Sequence, residues 1–546
     1  MALPVNGAEW PPRNVAHIHE DYAIWSAWYA NDINMLRTAY STNGTPGPAG
    51  VRRGLLNRVA DWFWTPKGSD GEAGVTKLHV PLASDLCQVS ADLLYSEPPT
   101  FTVEDSKGKN AKVQERLDLI TGAGFDQTLV ASAEVAAALG GSYLRATWDD
   151  SLYKHVFLTK VDADGALPMF RYGRLVEVTF WRVVDVEGTV FTRHLEHHSL
   201  DSFGIGIIEQ ALYKGSATDI GVRVPLEEAE STKHLATVVD ANSVISTQTP
   251  GLAVEYVPNM TPNRKWRTDP HGAYLGRSDL DGIESFLDAL DRVYSSLMRE
   301  LELGKARLVV PSYMMNDLGP GKGAAFDNDR AIIAEVLASP GASTDSKLAI
   351  EKVQFDIRVS EHLEMAAALL AVIIRTAGYS SQTFGEKDAA GGDKTATEVT
   401  AKERRSYLTR DRKIRAATPA LERILFKALD MDSKLFGTRL VAAPVTVAFA
   451  DAVQTPLEAL AATVNLLKQA ESASIETRLL ILHPDWDEKQ IEIEAGKIQK
   501  ETSMFPDPAT FGTVVDNGAT PAGTGGQPTG NDRGSNSDTG QQVQPS

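Results

Sequence analysis

The chain has 546 residues, 42% apolar and 23% charged, with a formal net charge of -18. It is long enough for roughly two to four domains, and most of it should fold. The acidic balance argues against a protein that coats nucleic acid, though not against DNA passing by ungripped, and the single cysteine, Cys87, excludes intrachain disulfides and suits a reducing compartment.

No basic start followed by an apolar run opens the chain, so no signal peptide is expected. The longest apolar run, Met365 to Ile374, is too short to span a bilayer. An aromatic-rich helix is expected over His17–Tyr40, with Tyr22, Trp25, Trp28 and Tyr29. Rings at this density pack on something large, either this chain's core or a neighbouring subunit. A Gly/Pro linker, Asn43 to Gly50, follows. Pro81 to Tyr95 reads as a helix that Pro98-Pro99 keeps from continuing, and it places Cys87 among apolar neighbours as a small buried residue. Val113 to Ala138 is helical, interrupted near Gly122 and Gly124, and leads into a strand from Ser142 to Trp148.

Between about 151 and 260 the pattern turns β-rich. Leu175–Val184, Thr189–His198, Ile205–Tyr213 and Leu252–Val257 predict an antiparallel sheet packed on the preceding helices. A long helix is expected over Ser278–Leu303, from the three- and four-residue spacing of Ile283, Phe286, Leu287, Leu290, Val293 and Leu297. Ser278 would cap it, and its length would be roughly 37 Å. Asp281, Glu284, Asp288 and Asp291 make it acidic. Short strands at Ala306–Val310 and Ile350–Ile357 bound an insertion. A second helix, Ser360–Ala377, is apolar around most of its circumference and so suits a bundle or a subunit interface. A small polar loop, Tyr379–Lys394, leads to a long helix from Thr395 to Leu435, which Pro419 should kink. A strand, Thr438–Phe449, and helices near Pro456–Ala470 and Glu488–Lys500 follow. The Gly/Ser/Pro-rich remainder from about 507 reads as a disordered tail.

Candidate sites are few. Gly319-Pro-Gly-Lys-Gly lacks the spacing of a phosphate loop and the hydroxyl residue after its lysine. Gly204-Ile-Gly-Ile-Ile-Glu lacks the third glycine of a dinucleotide fingerprint. His194, Glu196 and His198 alternate along a strand and would share a face. They are better read as exposed strand residues than as zinc ligands, with a metal-dependent hydrolase kept as a distant alternative. No catalytic, cofactor or metal residues are assigned. The sharpest charge feature is Lys402, Arg404, Arg405, Arg410, Arg412, Lys413 and Arg415 against only Glu403 and Asp411. Pairing with the acidic first helix or with a neighbouring subunit is favoured over phosphate contact.

Leu275-Gly-Arg-Ser-Asp-Leu-Asp-Gly-Ile-Glu with Leu287-Asp-Ala-Leu-Asp-Arg-Val-Tyr-Ser resembles the start of the first stem helix of tailed-bacteriophage portal proteins, the head-to-tail connectors. The loop leading into Lys394-Thr-Ala-Thr-Glu-Val resembles that family's tunnel loop. Leu252-Ala-Val-Glu-Tyr-Val-Pro-Asn and Leu93-Leu-Tyr-Ser-Glu-Pro-Pro fit as well, so the similarity spans most of residues 75–450. It implies an α+β, portal-like fold, mainly helical, with an antiparallel wing sheet, a two-helix stem, an α/β clip and a long kinked helix. The implied segments are an N-terminal helix and linker (1–50), wing (51–277), stem (278–303 and 357–379), clip (304–356), channel loop (380–396), long helix (397–437), wing return strand (438–455), helical crown (456–506) and tail (507–546). It also implies a non-enzymatic homo-oligomeric ring of about twelve copies at a capsid vertex of the virion, assembled in the host cytoplasm. The implied partners are terminase, scaffold or major capsid protein, a head-tail adaptor and double-stranded DNA in transit, with no membrane and no cofactor. A capsid-associated adaptor without a channel is the alternative. In a ring, Asp281, Glu284, Asp288 and Asp291 would form a wall that repels DNA. Lys387 and Lys394, beside Asp388 on a loop loosened by Gly385, Gly391 and Gly392, could touch phosphates briefly or simply stay exposed.

Overall fold

The computed structural model describes residues 3–42, 78–122, 124–303, 307–309, 316–317, 324–325, 351–353, 357–385, 396–450, 457–483 and 486–504. It divides into a large unit, Met1–Val453, and a smaller one, Gln454–Ser546. The fold is α+β with antiparallel sheets.

The N-terminal aromatic segment forms two helices rather than one, α1 (Ala16–Tyr29) and α2 (Ile33–Thr42). Asn31 takes a φ of 54°, which breaks the first helix. Asp32 then accepts from the backbone N–H groups of Asn34 and Met35, starting the second. Of the two destinations open to the aromatics, the structure shows the chain's own core: Ile18, Tyr22, Trp25 and Trp28 are buried with Leu86, Cys87, Trp266, Leu287 and Ile374.

Helix α3 (Leu82–Tyr95) begins after Pro81, and a short strand β1 (Thr100–Val103) follows it. Helices α4 (Ala111–Gly122) and α5 (Phe125–Leu139) come next, with Gly124 at φ 79° between them. Strands β2 (Gly141–Thr147) and β3 (Phe157–Asp162) form a three-stranded sheet with β10 (Val254–Pro258). The larger sheet has the order β4 (Ala166–Arg171), β5 (Arg174–Glu187), β6 (Val190–Leu200), β7 (Ile205–Gly215) and β8 (Val222–Val224), with β9 (Val244–Pro250) also paired to β7. Residues before α1 lie against this sheet. Trp10 N–H donates to Thr218 O, Ile220 N–H to Ala8 O and Tyr213 Oη to Pro4 O. Trp10 and Val15 close a small core over Leu195 and Tyr213.

Helix α6 starts at Glu284, not Ser278, and ends at Leu303. Gly282, at φ 85°, keeps Asp279–Ile283 in turns. At about 30 Å it is shorter than expected. Helix α7 (Val359–Ala377) runs antiparallel to it, since Glu300 near the end of α6 binds the Arg358 guanidinium and backbone N–H at the start of α7. Between them β11 (Arg307–Val309) pairs with β14 (Glu351–Val353), and β12 (Asn316–Asp317) with β13 (Ala324–Ala325). Helix α8 (Ala396–Leu435) continues through Pro419. Its second half packs Leu421, Ile424, Leu425 and Ala428 on α4, α5 and β2, and strand β15 (Val445–Ala448) pairs with β1.

The smaller unit holds α9 (Leu457–Gln469), α10 (Ile475–Leu482) and α11 (Glu488–Met504) around Leu479, Ile491 and Ala495. Helix α10, capped by Ser474 accepting from Thr477 N–H, was not expected. The tail expected from 507 lies outside the described residues.

Candidate functional site

The first half of α8 faces inward with a stripe of polar residues. Ser406, Thr409, Arg410 and Lys413 recur at three- and four-residue spacing, all are buried, and Ala417, Ala420 and Leu421 continue the stripe as apolar packing. Each polar group ties α8 to a different element. Ser406 Oγ accepts from Ser380 N–H, and Thr409 Oγ1 donates to Gly378 O, which fixes the turn leaving α7. The Arg410 guanidinium donates to Leu93 O at the end of α3 and to Ala450 O after β15.

Lys413 reaches the centre. Its Nζ lies 2.6 Å from Asp279 Oδ2 and 2.5 Å from Ser90 Oγ on α3. Asp279 also accepts from Tyr379 Oη at 2.6 Å and Asn259 Nδ2 at 2.8 Å, and its own N–H donates to Ala137 O. A buried carboxylate needs this many donors, and a buried ammonium needs a carboxylate. Burial pushes the Lys413 ammonium below the ordinary lysine range, and Asp279 pulls it back. The backbones of Gly140 and Gly276 abut here; a side chain at either position would meet the other's carbonyl. The junction thus joins α3, α5, α6, α7, α8 and β10 at one point. Its signal in the sequence was the 406, 409, 410, 413 spacing, hidden within a run read for its charge alone.

The rest of the basic run divides cleanly. Arg404, Arg405, Arg412 and Arg415 are exposed, with Arg405 donating to Arg375 O and Arg415 to Asp411 O of its own helix. The side chain of Lys402 lies outside the described residues.

The four acidic residues expected to form a wall are placed inside the chain or at its margin. Asp291 is 1% exposed and accepts from His79 Nδ1 and Val80 N–H. Burial raises its carboxyl, and His79 opposes the shift. Asp288 is buried as well. Glu284 accepts from Trp25 Nε1 at 2.8 Å, with burial raising its carboxyl. Asp281 is half-buried and raised by burial, with Lys265 and Arg277 opposing. The physical reason is the N-terminal segment and residues 78–80, which cover this helix and supply donors to it. Among the loop residues, Gly385 is described, with φ 73°; Lys387, Asp388, Gly391, Gly392 and Lys394 lie outside the described residues.

His194, Glu196 and His198 are buried rather than exposed, because β6 is central in its sheet and covered on both faces. His194 Nε2 bonds Gln210 Oε1, while Glu196 takes Arg145 from β2 and His198 Nε2. Burial acts to raise the Glu196 carboxyl, but the Arg145 guanidinium and His198 outweigh it and hold it well below the carboxylate range. These side chains are committed to hydrogen bonds, and among the described residues no three His, Cys, Asp or Glu groups converge as a metal site would.

The neighbouring imidazoles carry a pH dependence. Burial lowers His197 to about 4, and burial with His17 lowers His19 to about 4, against an ordinary value near 6.5. Between those values the unfolded chain binds more protons than the folded one, so folding stability falls as pH drops from about 6.5 to about 4. The thermal midpoint should decline across that window, and His197→Gln, which cannot protonate, should flatten the decline; an unchanged slope would remove His197 from this role.

The sequence matches the phage portal protein family described as SPP1 Gp6-like across residues 72–504, and the chain belongs to that family. That makes it a structural component of a virion's capsid vertex. Among solved structures, it is similar to the neck of a native GTA particle computed with C12 symmetry, at 14% identity and a TM-score of 0.36, over 74% of this chain and 89% of that one. It is also similar to the neck of an empty GTA particle computed with C6 symmetry, at 13% identity and a TM-score of 0.38, over 74% and 91%. No curated protein matches. No helix among the described residues is long and apolar enough to cross a membrane.

Proposed function

We propose that the chain is a portal subunit that assembles into a closed ring of about twelve copies, through whose channel double-stranded DNA enters and leaves the capsid. The observation that carries this reading is the family match over residues 72–504. The surface of α7 supports it. That helix buries Ala366, Ile373 and Ile374 against its own chain, yet leaves Val359 and Leu363 exposed one turn apart, and Met365 56% exposed on another side. Exposed apolar residues of this kind are covered by a second copy when stems pack side by side in a ring.

In this reading α6 and α7 are the stem, 304–356 the clip, 380–396 the channel loop, the sheets and α3–α5 the wing, and 456–506 the crown. Terminase, scaffold or major capsid protein, and a head-tail adaptor dock on the ring, and the chain performs no catalysis itself. Lys387 and Lys394 make transient phosphate contacts beside Asp388, on a loop to which Gly385, Gly391 and Gly392 give freedom. Because Asp288 is buried and Glu284 and Asp291 are taken by the chain's own donors, the half-buried Asp281 is the member of the acidic set nearest to a lumen role. The exposed Arg404, Arg405, Arg412 and Arg415 face neighbouring subunits.

Leu363→Glu tests the stem contact. Burying an uncompensated carboxylate at every interface should shift the chain from ring to monomer in native mass spectrometry, with the unfolding of the monomer unchanged because the site is exposed there. A variant that assembles as well as the unaltered chain would take α7 out of the interface.

A further inference from the structure

The six-stranded sheet carries two surfaces of opposite character at its two ends. At one end Tyr172, in the β4–β5 turn, is 94% exposed and Phe203, in the β6–β7 turn, is 88% exposed. The antiparallel pairing of Val178 with His198 sets both turns at that end. Positive φ angles at Tyr172 and Gly173 mark a tight hairpin, which leaves the tyrosine at its tip. Beside it an open groove of about 430 Å³ is lined by Phe170, Arg174, Tyr274 and Arg423. Glu255 neutralises Arg423 in a two-pronged contact. Arg171 and Arg174 are exposed and enter no ion pair among the described residues. This end is aromatic and basic.

At the other end the β5–β6 hairpin stands clear of the core. From Arg182 to Val190 it is exposed on both faces apart from a half-buried Val184. Val183, Val186 and Val190 present apolar surface, and Asp185 and Glu187 carry charge at the tip. Exposed β-branched residues on a projecting hairpin gain from burial, and among the described residues these three valines stay 42–50% exposed.

Strand β5 itself runs from groove to tip, Arg174 to Glu187, 14 residues or roughly 45 Å. One chain cannot bring its own two ends together, so any pairing of the two surfaces is between copies. We propose that the Val183–Val190 tip of one subunit docks on the aromatic and basic end of the sheet of the next, at the rim of its groove, with Asp185 and Glu187 against Arg171 and Arg174 and the valines against Tyr172 and Phe203. The contact joins unlike surfaces, so it is heterologous and propagates around a ring where the rotation closes. It has an apolar centre and a charged rim, and the rim fixes register and excludes wrong pairings. The inference rests on the ring reading and names the surfaces that would build the wing-level contact.

Charge reversal tests it in the full chain, with assembly read by native mass spectrometry and negative-stain images. Asp185→Arg with Glu187→Arg should reduce ring formation by at least about tenfold, since like charges then meet at every interface. Arg171→Glu with Arg174→Glu should do the same. Mixing the two variants should restore rings, because each tip then meets a groove of opposite sign. All four positions are exposed, and circular dichroism melting should match the unaltered chain. Rings from either variant alone, or no rings on mixing two folded variants that each fail to assemble, would overturn the docking. An unaltered chain that never forms a ring would instead overturn the ring reading itself.

Discussion

Replacing Lys413 by methionine should lower the unfolding free energy of the Met1–Val453 unit by about 3–5 kcal/mol. Methionine matches the length of the lysine stem but removes the cation facing the buried Asp279 carboxyl, which keeps Tyr379 and Asn259 as side-chain partners. The cost is therefore mainly that of an uncompensated charge, with a further loss at Ser90 Oγ. The control is the double variant Asp279→Asn with Lys413→Met. With no charge left to compensate, it should recover more than half of the loss, although the two residues touch and their effects cannot add. Denaturant unfolding followed by tryptophan fluorescence reads both. A loss below about 1 kcal/mol for the single variant would show that water reaches the junction and that it does not hold the elements together.

Trp25→Ala should cost a similar amount, about 3–5 kcal/mol, although the residue lies far from the junction in sequence. Trp25 is buried, packs on Trp266 with ring centroids 5.5 Å apart, and lies 5.1 Å beneath the Lys265 ammonium. Its loss opens a cavity and also removes the indole donor of Glu284. Trp25→Phe should recover most of the packing but not the hydrogen bond, which divides the two contributions. If the first helix only served a neighbouring subunit, Trp25→Ala would weaken assembly and leave the stability of the monomer unchanged.

Local periodicity made much of this architecture legible. The two-residue alternation over 175–213 marks the sheet, and the three- and four-residue spacing after Ile283 marks α6, because both patterns are written in neighbouring residues. The failures are long-range. His194–His198 alternate as exposed strand residues would, yet Arg145 from β2 and the residues preceding α1 cover the strand from both sides. The acidic residues of α6 and the aromatics of α1 looked like separate features, one a wall and the other an anchor. They are two halves of one contact, as Trp25 with Glu284 shows. The start of α6 was misplaced because Ser278 does cap a turn, donating a hydrogen bond to Ala138 O and accepting one from Leu280 N–H, before Gly282 breaks the path. The buried junction was invisible as a unit, because its residues at 90, 259, 279, 379 and 413 meet only after folding.

In the ring reading, the exposed apolar residues of α7 and the unlike ends of the six-stranded sheet are both covered by a second copy of the chain. Negative-stain images of the purified full chain, classified without imposed symmetry, test this most directly. The expected result is a closed ring with cyclic symmetry and a central opening wide enough for a DNA duplex. A population that stays monomeric at every concentration examined, or assembles without a central opening, would contradict the account.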